Sequence, residues 1–257
     1  MLSAFIICRD ERDLIGRALS SLDFADEIVV VDSGSTDGTL DIVREYPKVK
    51  LFHRDWTGFS DQKNFAIDKC EHEWIFSLDA DEAASEELGK RVLSIVQNGG
   101  EGNITCYRVR REEYFLGRHL RWGAGNPSFQ ERFYRKGAVR YSGSVHEYPQ
   151  VLKGEYGLLD EAIHHNPKLG VERFLSKLNS YTTLEAMDLF RSYQRTNLFH
   201  ATGTFFTTFC KNYVVYRGYR NGREGIILCF LEAVSRSVRH FKLWALQKNG
   251  EGGEHGG

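Results

Sequence analysis

The chain has 257 residues, of which 41% are hydrophobic and 27% are charged, and its formal net charge is −1. This length and composition are typical of one large globular domain, or of a domain with an appendage. The near-neutral charge excludes the strongly basic character expected of a nucleic-acid-binding protein, so we predict no nucleic-acid partner.

The cysteine pattern and the N-terminal residues indicate the cellular compartment of the protein. The five cysteines are widely spaced, odd in number and contain no CxxC pair. This pattern favours a reducing compartment over a disulfide framework or a zinc ribbon. The first residues lack the basic segment and apolar run of a signal peptide, and no apolar run reaches the ~18 residues of a spanning helix. We therefore expect a cytoplasmic protein.

The first eighty residues alternate between strand and helix patterns. The predicted strands are Leu2–Cys8, Ile28–Val31, Val49–His53 and Trp74–Leu78, and the predicted helices are 14–22, 40–46 and 58–69, the second of them capped by Asp37 or Thr39. This order indicates βαβ units and a parallel sheet. Right-handed crossovers bring the loops that follow these strands to one rim of the sheet.

The remaining residues predict fewer strands and more helix. We expect a helix at 86–97, strands at 104–110, 132–135 and 156–164, a loop at 143–149, and helices from Val171 onward, the last at 225–246. We interpret 1–170 as the α/β catalytic domain, 171–248 as a helical C-terminal region, and the glycine- and glutamate-rich 249–257 as a disordered tail.

The stretch Asp79-Ala80-Asp81-Glu82 follows directly after the fourth strand. Ligands of open α/β sheets bind beyond the carboxyl ends of the strands. Two aspartates at positions i and i+2 in a tight turn can reach one Mg²⁺ or Mn²⁺, which usually shares its ligands with substrate phosphates. The stretch therefore predicts a metal–diphosphate site, and the alternative is a solvated acidic turn in which Glu82, Glu86 and Glu87 cap the next helix.

Three segments in this order and spacing resemble the family 2 glycosyltransferases. They are Arg9-Asp10-Glu11, the string VVVDSGSTDGT at 29–39, and LDADE at 78–82. The segments GFSDQKNFA at 58–66, YFLGR at 114–118, QERFYR at 130–135 and VHE at 145–147 narrow the resemblance to bacterial lipopolysaccharide-core enzymes that transfer glucose. The resemblance implies the GT-A fold, with a Rossmann-like, mostly parallel central sheet flanked by helices and a helical C-terminal extension.

The resemblance also implies a reaction and a set of roles. The reaction is inverting, metal-dependent transfer of a hexose, expected to be glucose, from a UDP-sugar to a lipopolysaccharide inner-core or similar surface-glycan acceptor, with Mn²⁺ or Mg²⁺ as cofactor. Asp81 is the expected metal ligand, and Asp79 binds the metal or the ribose. The remaining expected contacts are Glu11 and Asp32 to the nucleotide, Lys63 to the phosphates, and a histidine of the His164-His165 pair, assigned to His165, to the metal. Asp32 alternatively forms an Asx turn, and Lys63 is alternatively a solvated helix residue.

An inverting transfer needs a base that takes the proton of the acceptor hydroxyl. The candidates are Glu147 and His146, because Ser128 stands where many relatives have an aspartate. Arg132 and Arg135 are expected to share one strand face, from which Arg132 contacts the diphosphate. Trp122 stacks on a sugar ring or belongs to the core.

The C-terminal region interleaves aromatic residues with lysines and arginines. This mixture suits an anionic membrane surface, which would serve a lipid-linked or oligosaccharide acceptor at the inner face of the cytoplasmic membrane. The alternative is a helical hairpin packed on the catalytic domain or on a second subunit of a homo-oligomer.

Two other classes of protein fit parts of the pattern. One is a non-catalytic module that binds sugar nucleotides or glycans. The other is a phosphotransferase of the haloacid-dehalogenase type, whose Asp-x-Asp motif contains a nucleophilic first aspartate. That motif normally lies near the N-terminus with a threonine after the second aspartate, whereas here it begins at residue 79.

Overall fold

A computed structural model of the chain describes residues 1–123, 127–143, 148–166 and 171–251. Their contacts divide them into two compact units. The first comprises the described residues within Met1–Tyr114 and Pro127–Lys168, and the second comprises those within Phe115–Asn126 and Leu169–Gly257. The segment 115–123 thus belongs with the helical C-terminal region although it lies inside the predicted catalytic domain.

The strands in the described residues are β1 (Leu2–Cys8), β2 (Glu27–Asp32), β3 (Val49–His53), β4 (Trp74–Ser77), β5 (Glu82–Ala84), β6 (Ile104–Phe115), β7 (Arg118–Leu120), β8 (Ser128–Arg135), β9 (Val139–Ser142), β10 (Tyr148–Val151) and β11 (Glu155–His165). The main sheet of the first unit has the order β3-β2-β1-β4-β8-β6-β11-β5. Strands β9 and β10 form a separate antiparallel pair.

The four N-terminal strands form the parallel half of this sheet, as predicted. The other half is mixed, because β8 runs antiparallel to both of its neighbours while β6 and β11 are parallel. In the described residues no crossover helix separates β6 from β8, so the chain returns in the antiparallel direction. Among the described strands of this order, four neighbouring pairs are parallel and three are antiparallel, as expected for a mostly parallel sheet.

Four helices of the first unit cover the sheet: α1 (Arg12–Ser21), α2 (Thr39–Arg44), α3 (Phe59–Lys69) and α4 (Glu86–Gln97). Their apolar residues recur at helical spacing, as in α1, where Leu14, Ile15, Ala18 and Leu19 are all buried. Strands β1 and β2 are apolar on both sides and almost wholly buried, as expected for strands covered by helices on both faces. The hydrophobic core thus holds rigid the strands whose ends carry the predicted site.

Several local predictions were wrong. Of the three glutamates in the alternative reading as a helix cap, Glu86 and Glu87 lie in the first turn of α4, whereas Glu82 belongs to strand β5. Ser85 caps α4 by accepting a hydrogen bond from the N–H of Leu88 at 3.2 Å. The N-cap of α2 is Gly38, at φ 90°, rather than Asp37 or Thr39. Within the predicted loop 143–149, residues from Tyr148 onward already belong to β10.

The second unit is helical apart from β7. It contains α5 (Val171–Arg191), α6 (Leu198–Cys210), a π-helical turn (Lys211–Val215), a 3-10 helix (Gly218–Asn221) and α7 (Gly222–Glu251). The predicted disordered tail is helical through Glu251, and its residues 252–257 lie outside the described ones. Among the described helices, none combines the length and the apolar composition needed to cross a bilayer.

Candidate active site

The loops after β1 and β2 are tied to each other by side chains of the DSGSTDGT string. The N–H of Asp10 donates to Ser35 Oγ at 2.9 Å, and Asp10 Oδ1 accepts from the N–H of Thr36 at 2.8 Å. The N–H of Glu11 donates to Thr39 Oγ1 at 2.8 Å. These contacts bring the two loops to one rim, as the βαβ pattern predicts.

Asp32 is almost fully buried at the end of β2. Its Oδ2 accepts from the N–H of Gly34 at 2.8 Å, and its carboxylate also accepts from the N–H and the hydroxyl of Ser35. The bond from Asp32 to the residue two positions on is that of an Asx turn. Cys8 Sγ lies 3.8 Å from Asp32 Oδ1, and burial together with this carboxylate raises the pKa of the Cys8 thiol.

Asp79 follows β4 and is held between two cations. Its Oδ1 lies 3.1 Å from Lys63 Nζ of α3, and its Oδ2 lies 2.6 Å from Arg132 Nη2 of β8. The Lys63 and Arg132 side chains are only 6% and 4% exposed, whereas that of Asp79 is 33% exposed. Burial alone would raise the pKa of Asp79, but Arg132 and Lys63 outweigh it and hold that pKa well below its usual range.

Glu82 extends this ion pairing into the interior. Its side chain is fully buried and lies 2.8 Å from Arg132 Nη2 and 3.0 Å from Arg111 Nε of β6. It also accepts from the N–H of Asp79 at 3.1 Å, which closes the turn between β4 and β5. A buried carboxylate with donors on both oxygens satisfies the requirement that buried charges be paired.

Asp81 faces a second group of side chains. Its Oδ2 lies 3.3 Å from His165 Nε2, and His165 Nδ1 lies 2.5 Å from Glu113 Oε2. These positions follow from strand register, because His165 of β11 is opposite Glu82 of β5 and Glu113 of β6. Burial alone would lower the pKa of His165, but its hydrogen bonds to Asp81 and Glu113 raise the pKa to about 9.

The backbone around Asp81 is fixed as well. Arg17 Nη2 of α1 donates to the carbonyl of Asp81 at 2.8 Å and to the carbonyl of Asn166 at 3.0 Å. The N–H of Asn166 donates to the same Asp81 carbonyl at 3.1 Å. The turn that carries Asp81 and the end of β11 that carries His165 are therefore held at a fixed separation.

Asp81 and His165 fit a hard divalent cation, and the described part of the chain supplies no full set of protein ligands. Ligands at adjacent positions on an octahedral ion with bonds of about 2.1 Å lie about 3 Å apart, close to the separation of Asp81 Oδ2 and His165 Nε2. The carboxylate of Glu113 on the other ring nitrogen is the usual support for a metal-binding histidine. Within 1–123, 127–143, 148–166 and 171–251, no group of three or more His, Cys, Asp or Glu side chains could hold a metal. Mg²⁺ and Mn²⁺ sites commonly use one or two carboxylates, waters and substrate phosphates, so this donor set is compatible with them.

The two arginines of β8 lie in different surroundings, which contradicts the expectation that they share a strand face. Arg132 contacts Asp79 and Glu82, whereas Arg135 lies with its guanidinium 4.4 Å from the ring centre of Trp74 and pairs with Glu73. Positions three apart point to opposite faces of a strand, so the expectation misapplied the two-residue period.

Other predicted residues lie away from these contacts or outside the described chain. The ring of Trp122 lies under the guanidinium groups of Arg220 and Arg217, at 4.5 and 5.7 Å, within the second unit. His164 pairs with Glu112 at 3.3 Å rather than with Asp81. Glu147 and His146, the predicted bases, lie outside the described residues.

Three residues of the site were not singled out from the sequence, namely Arg17, Arg111 and Glu113, and Glu82 was considered only as a helix cap. Arg111 and Glu113 are two positions apart in β6, so strand geometry places both side chains on the same face. This spacing could have identified them from the sequence as a pair of neighbouring charged residues. Arg17 carries no such signal, since its contacts are to backbone carbonyls of residues that are distant in sequence.

Comparison with known proteins assigns the chain to a family. The model of glycosyl transferase family 2 matches residues 3–151, which is more than half of the chain. The chain is 33% identical to the lipopolysaccharide core biosynthesis glycosyltransferase LpsC of Rhizobium meliloti (strain 1021), over 93% of this chain and 89% of that protein. It is 28% identical to an uncharacterized glycosyltransferase of Rickettsia felis, over 94% and 89% of the two chains. A crystal structure of S. aureus TarS residues 1–349 is similar over 97% of this chain and 91% of that one, at a TM-score of 0.48 and 13% identity.

The family model and the relative of 33% identity show that the chain is a glycosyltransferase. The chain belongs to glycosyl transferase family 2, and the predicted enzyme class and fold class are confirmed. The phosphotransferase and the non-catalytic binding module are set aside with that assignment.

The buried ion pairs of Arg132 predict a large loss of stability when the cation is removed. We expect Arg132→Met to lower the free energy of unfolding by about 3–5 kcal/mol, because two carboxylates lose a buried partner. The matched control is Arg108→Met, which breaks a 2.8 Å ion pair with Glu131. Because the Arg108 side chain is 45% exposed, this substitution should lower the free energy of unfolding by less than about 1 kcal/mol. Urea unfolding measures both, and equal losses would contradict the structural role of the Arg132 pairs.

Proposed function

We propose that this glycosyltransferase moves a hexose, glucose first among the candidates, from a UDP-sugar to an acceptor of the lipopolysaccharide inner core or a similar surface glycan. The observation that carries the proposal is the pairing of Asp81 with His165 beside an Asp79 whose charge is already balanced by Lys63 and Arg132. The similarity to a lipopolysaccharide core biosynthesis enzyme over 93% of the chain supports the acceptor class.

In this proposal Asp81 and His165 hold Mn²⁺ or Mg²⁺. The ion would neutralise the negative charge that develops on the diphosphate leaving group. Glu113 fixes the ring of His165 through Nδ1, which leaves Nε2 directed at Asp81. Arg17 and the Asn166 backbone keep the Asp81 turn in place, so the two ligands need little rearrangement on binding.

The nucleotide is proposed to lie along the tied loops after β1 and β2. Glu11, Asp32 and the exposed part of the Asp79 carboxylate are the proposed contacts to the base and ribose. Lys63 and Arg132 are the cations nearest to a diphosphate bound at Asp79, and they would contribute electrostatic stabilisation there. Because both are paired with Asp79, they also prevent that carboxylate from repelling an anionic donor.

The acceptor is proposed to be lipid-linked or an oligosaccharide, and its hydroxyl must lose a proton as the new bond forms. Glu147 is the first candidate for the base and His146 the second, since a carboxylate or an imidazole can accept that proton. An acceptor of lipopolysaccharide type carries a lipid anchor, so the reaction would take place at a membrane surface.

The donor class is tested by the thermal stability of the protein with UDP, GDP, CDP and their glucose, galactose and N-acetylglucosamine conjugates, each with and without Mn²⁺. We expect stabilisation by UDP and UDP-glucose that increases with Mn²⁺, because a ligand at a hundred times its Kd stabilises the folded state by about 2.7 kcal/mol. Stronger stabilisation by a GDP- or CDP-sugar would reject the UDP assignment.

The metal ligands are tested by Mn²⁺ binding measured by electron paramagnetic resonance, in the presence of UDP and without turnover. Asp81→Asn and His165→Gln should each weaken Mn²⁺ binding, and Glu113→Gln should weaken it by about 10–100-fold because it removes the partner of a metal ligand. His164→Gln is the matched control, since the neighbouring histidine contacts Glu112 instead. Wild-type Mn²⁺ affinity in Asp81→Asn would remove Asp81 from the metal site.

The base is tested by kinetics with UDP-glucose and a core-oligosaccharide acceptor. We expect Glu147→Gln to lower kcat by about 10²–10⁴-fold with unchanged UDP binding, because general base catalysis contributes a factor of that size. His146→Gln should have the smaller effect if the histidine only orients Glu147. A larger loss in His146→Gln than in Glu147→Gln would reverse the assignment.

A further inference from the structure

The second unit presents an apolar helix face to solvent. Along α6, Phe199 and Phe206 are 90% and 66% exposed, and they lie on one side of the helix together with the exposed Cys210. Val214 and Val215 of the π-helical turn that follows are exposed as well. The opposite side of α6 packs on α7, where Ser237 Oγ donates to the carbonyl of the buried Ala201 at 2.7 Å. A single exposed apolar residue is ordinary, but a group of them on neighbouring turns indicates an interaction surface.

The sequence around this face is cationic and lacks acidic residues. Between Arg195 and Arg223 there is no aspartate or glutamate, whereas the segment contains the basic residues Arg195, Lys211, Arg217, Arg220 and Arg223. On α7, Glu224 is paired with Arg118 at 3.3 Å, while Glu232 accepts from Asn212 Nδ2 at 2.6 Å and keeps its charge. The surface is therefore complementary to an anionic partner.

The threonines of α6 lower the cost of removing this face from water. Thr202 and Thr207 flank this side of the helix, and their hydroxyls donate to the helix carbonyls of Leu198 and Gly203, at 2.9 and 3.1 Å. Their hydrogen bonds therefore need no solvent, which reduces the desolvation penalty that an exposed polar side chain would otherwise impose.

We propose that α6 and the π-helical turn bind the surface of an anionic phospholipid bilayer. The apolar face enters the region between headgroups and acyl chains while Lys211, Arg217, Arg220 and Arg223 contact lipid phosphates. A second copy of the chain fits less well, because a symmetric contact would bring two acid-free cationic segments together. The inference does not depend on the proposed reaction, although a lipid-linked acceptor would give it a purpose.

The test is co-sedimentation of the full-length protein with phosphatidylcholine vesicles and with vesicles of equal parts phosphatidylglycerol and phosphatidylcholine. We expect binding to the anionic vesicles that falls with added salt. Phe199→Ser with Phe206→Ser should weaken it more than about a hundredfold, given the ~1.5–3 kcal/mol for burying each phenylalanine side chain. Lys211→Gln with Arg223→Gln should weaken it about 25-fold, because each basic residue near an anionic surface contributes a factor of about five.

Matched controls come from the first unit. Leu158 is 66% exposed, as Phe206 is, so Leu158→Ser should leave vesicle binding unchanged, and so should Arg44→Gln. Circular dichroism and donor hydrolysis without vesicles check that the α6 variants remain folded and catalytically intact.

Two results would overturn the proposal. One is a wild-type protein that binds neither vesicle, or whose binding both pairs of substitutions leave intact. The other is a dimer in light scattering that dissociates in Phe199→Ser with Phe206→Ser, without vesicle binding, which would make the face an interface between copies. Vesicle binding without donor hydrolysis would support the docking surface and contradict only the proposed reaction.

Discussion

The site depends on one buried cation. Arg132 extends from β8 to the carboxylates of Asp79 and Glu82, and Glu82 in turn contacts Arg111 of β6. Placing these charges in the interior is costly unless each has a partner, so the pairs stabilise the fold only as a complete set. The antiparallel strand β8 therefore does more than extend the sheet. It places the Arg132 guanidinium between the parallel half of the sheet and strands β6 and β11, which carry Glu113 and His165.

The ion pairs of Arg132 give Asp79 and Asp81 different surroundings. Asp79 has a cation at each oxygen, and its charge is balanced before any ligand arrives. Asp81, two residues later, points instead to His165, whose other nitrogen is held by Glu113. Residues i and i+2 of a turn thus meet different environments, and Asp81 is the one to which we assign the proposed divalent ion. The Asp-x-Asp spacing alone cannot distinguish these environments, since it gives both side chains the same chemistry.

The parts of the fold that the sequence predicts are those set by local pattern. Apolar runs predicted β1–β4, and helical periodicity predicted α1 and α4, to within a few residues. These elements were predictable because the apolar residues that they bury recur at strand or helix spacing within the element itself. Strand β5 has three residues, and its strand conformation depends on pairing with β11 some eighty residues later, so nothing local marks it. The same reason hid Glu82, whose partners Arg111 and Arg132 come from two other strands. The pairing of Asp81 with His165 rather than His164 was likewise set by register between distant strands.

The charges of this nearly neutral chain are distributed differently in its two units. In the first unit the acidic residues of the site are paired with Lys63, Arg111, Arg132 and His165, so their charges would not repel the anionic donor of the proposed reaction. In the second unit the segment from Arg195 to Arg223 has only basic charges, although the whole chain has a net charge of −1. Screening limits the reach of such a segment to about 8–10 Å at physiological salt, so its cations act only on a surface in near contact. A membrane-bound acceptor would meet that condition, whereas a diffusing polyanion would be attracted only weakly by a chain whose total charge is close to zero.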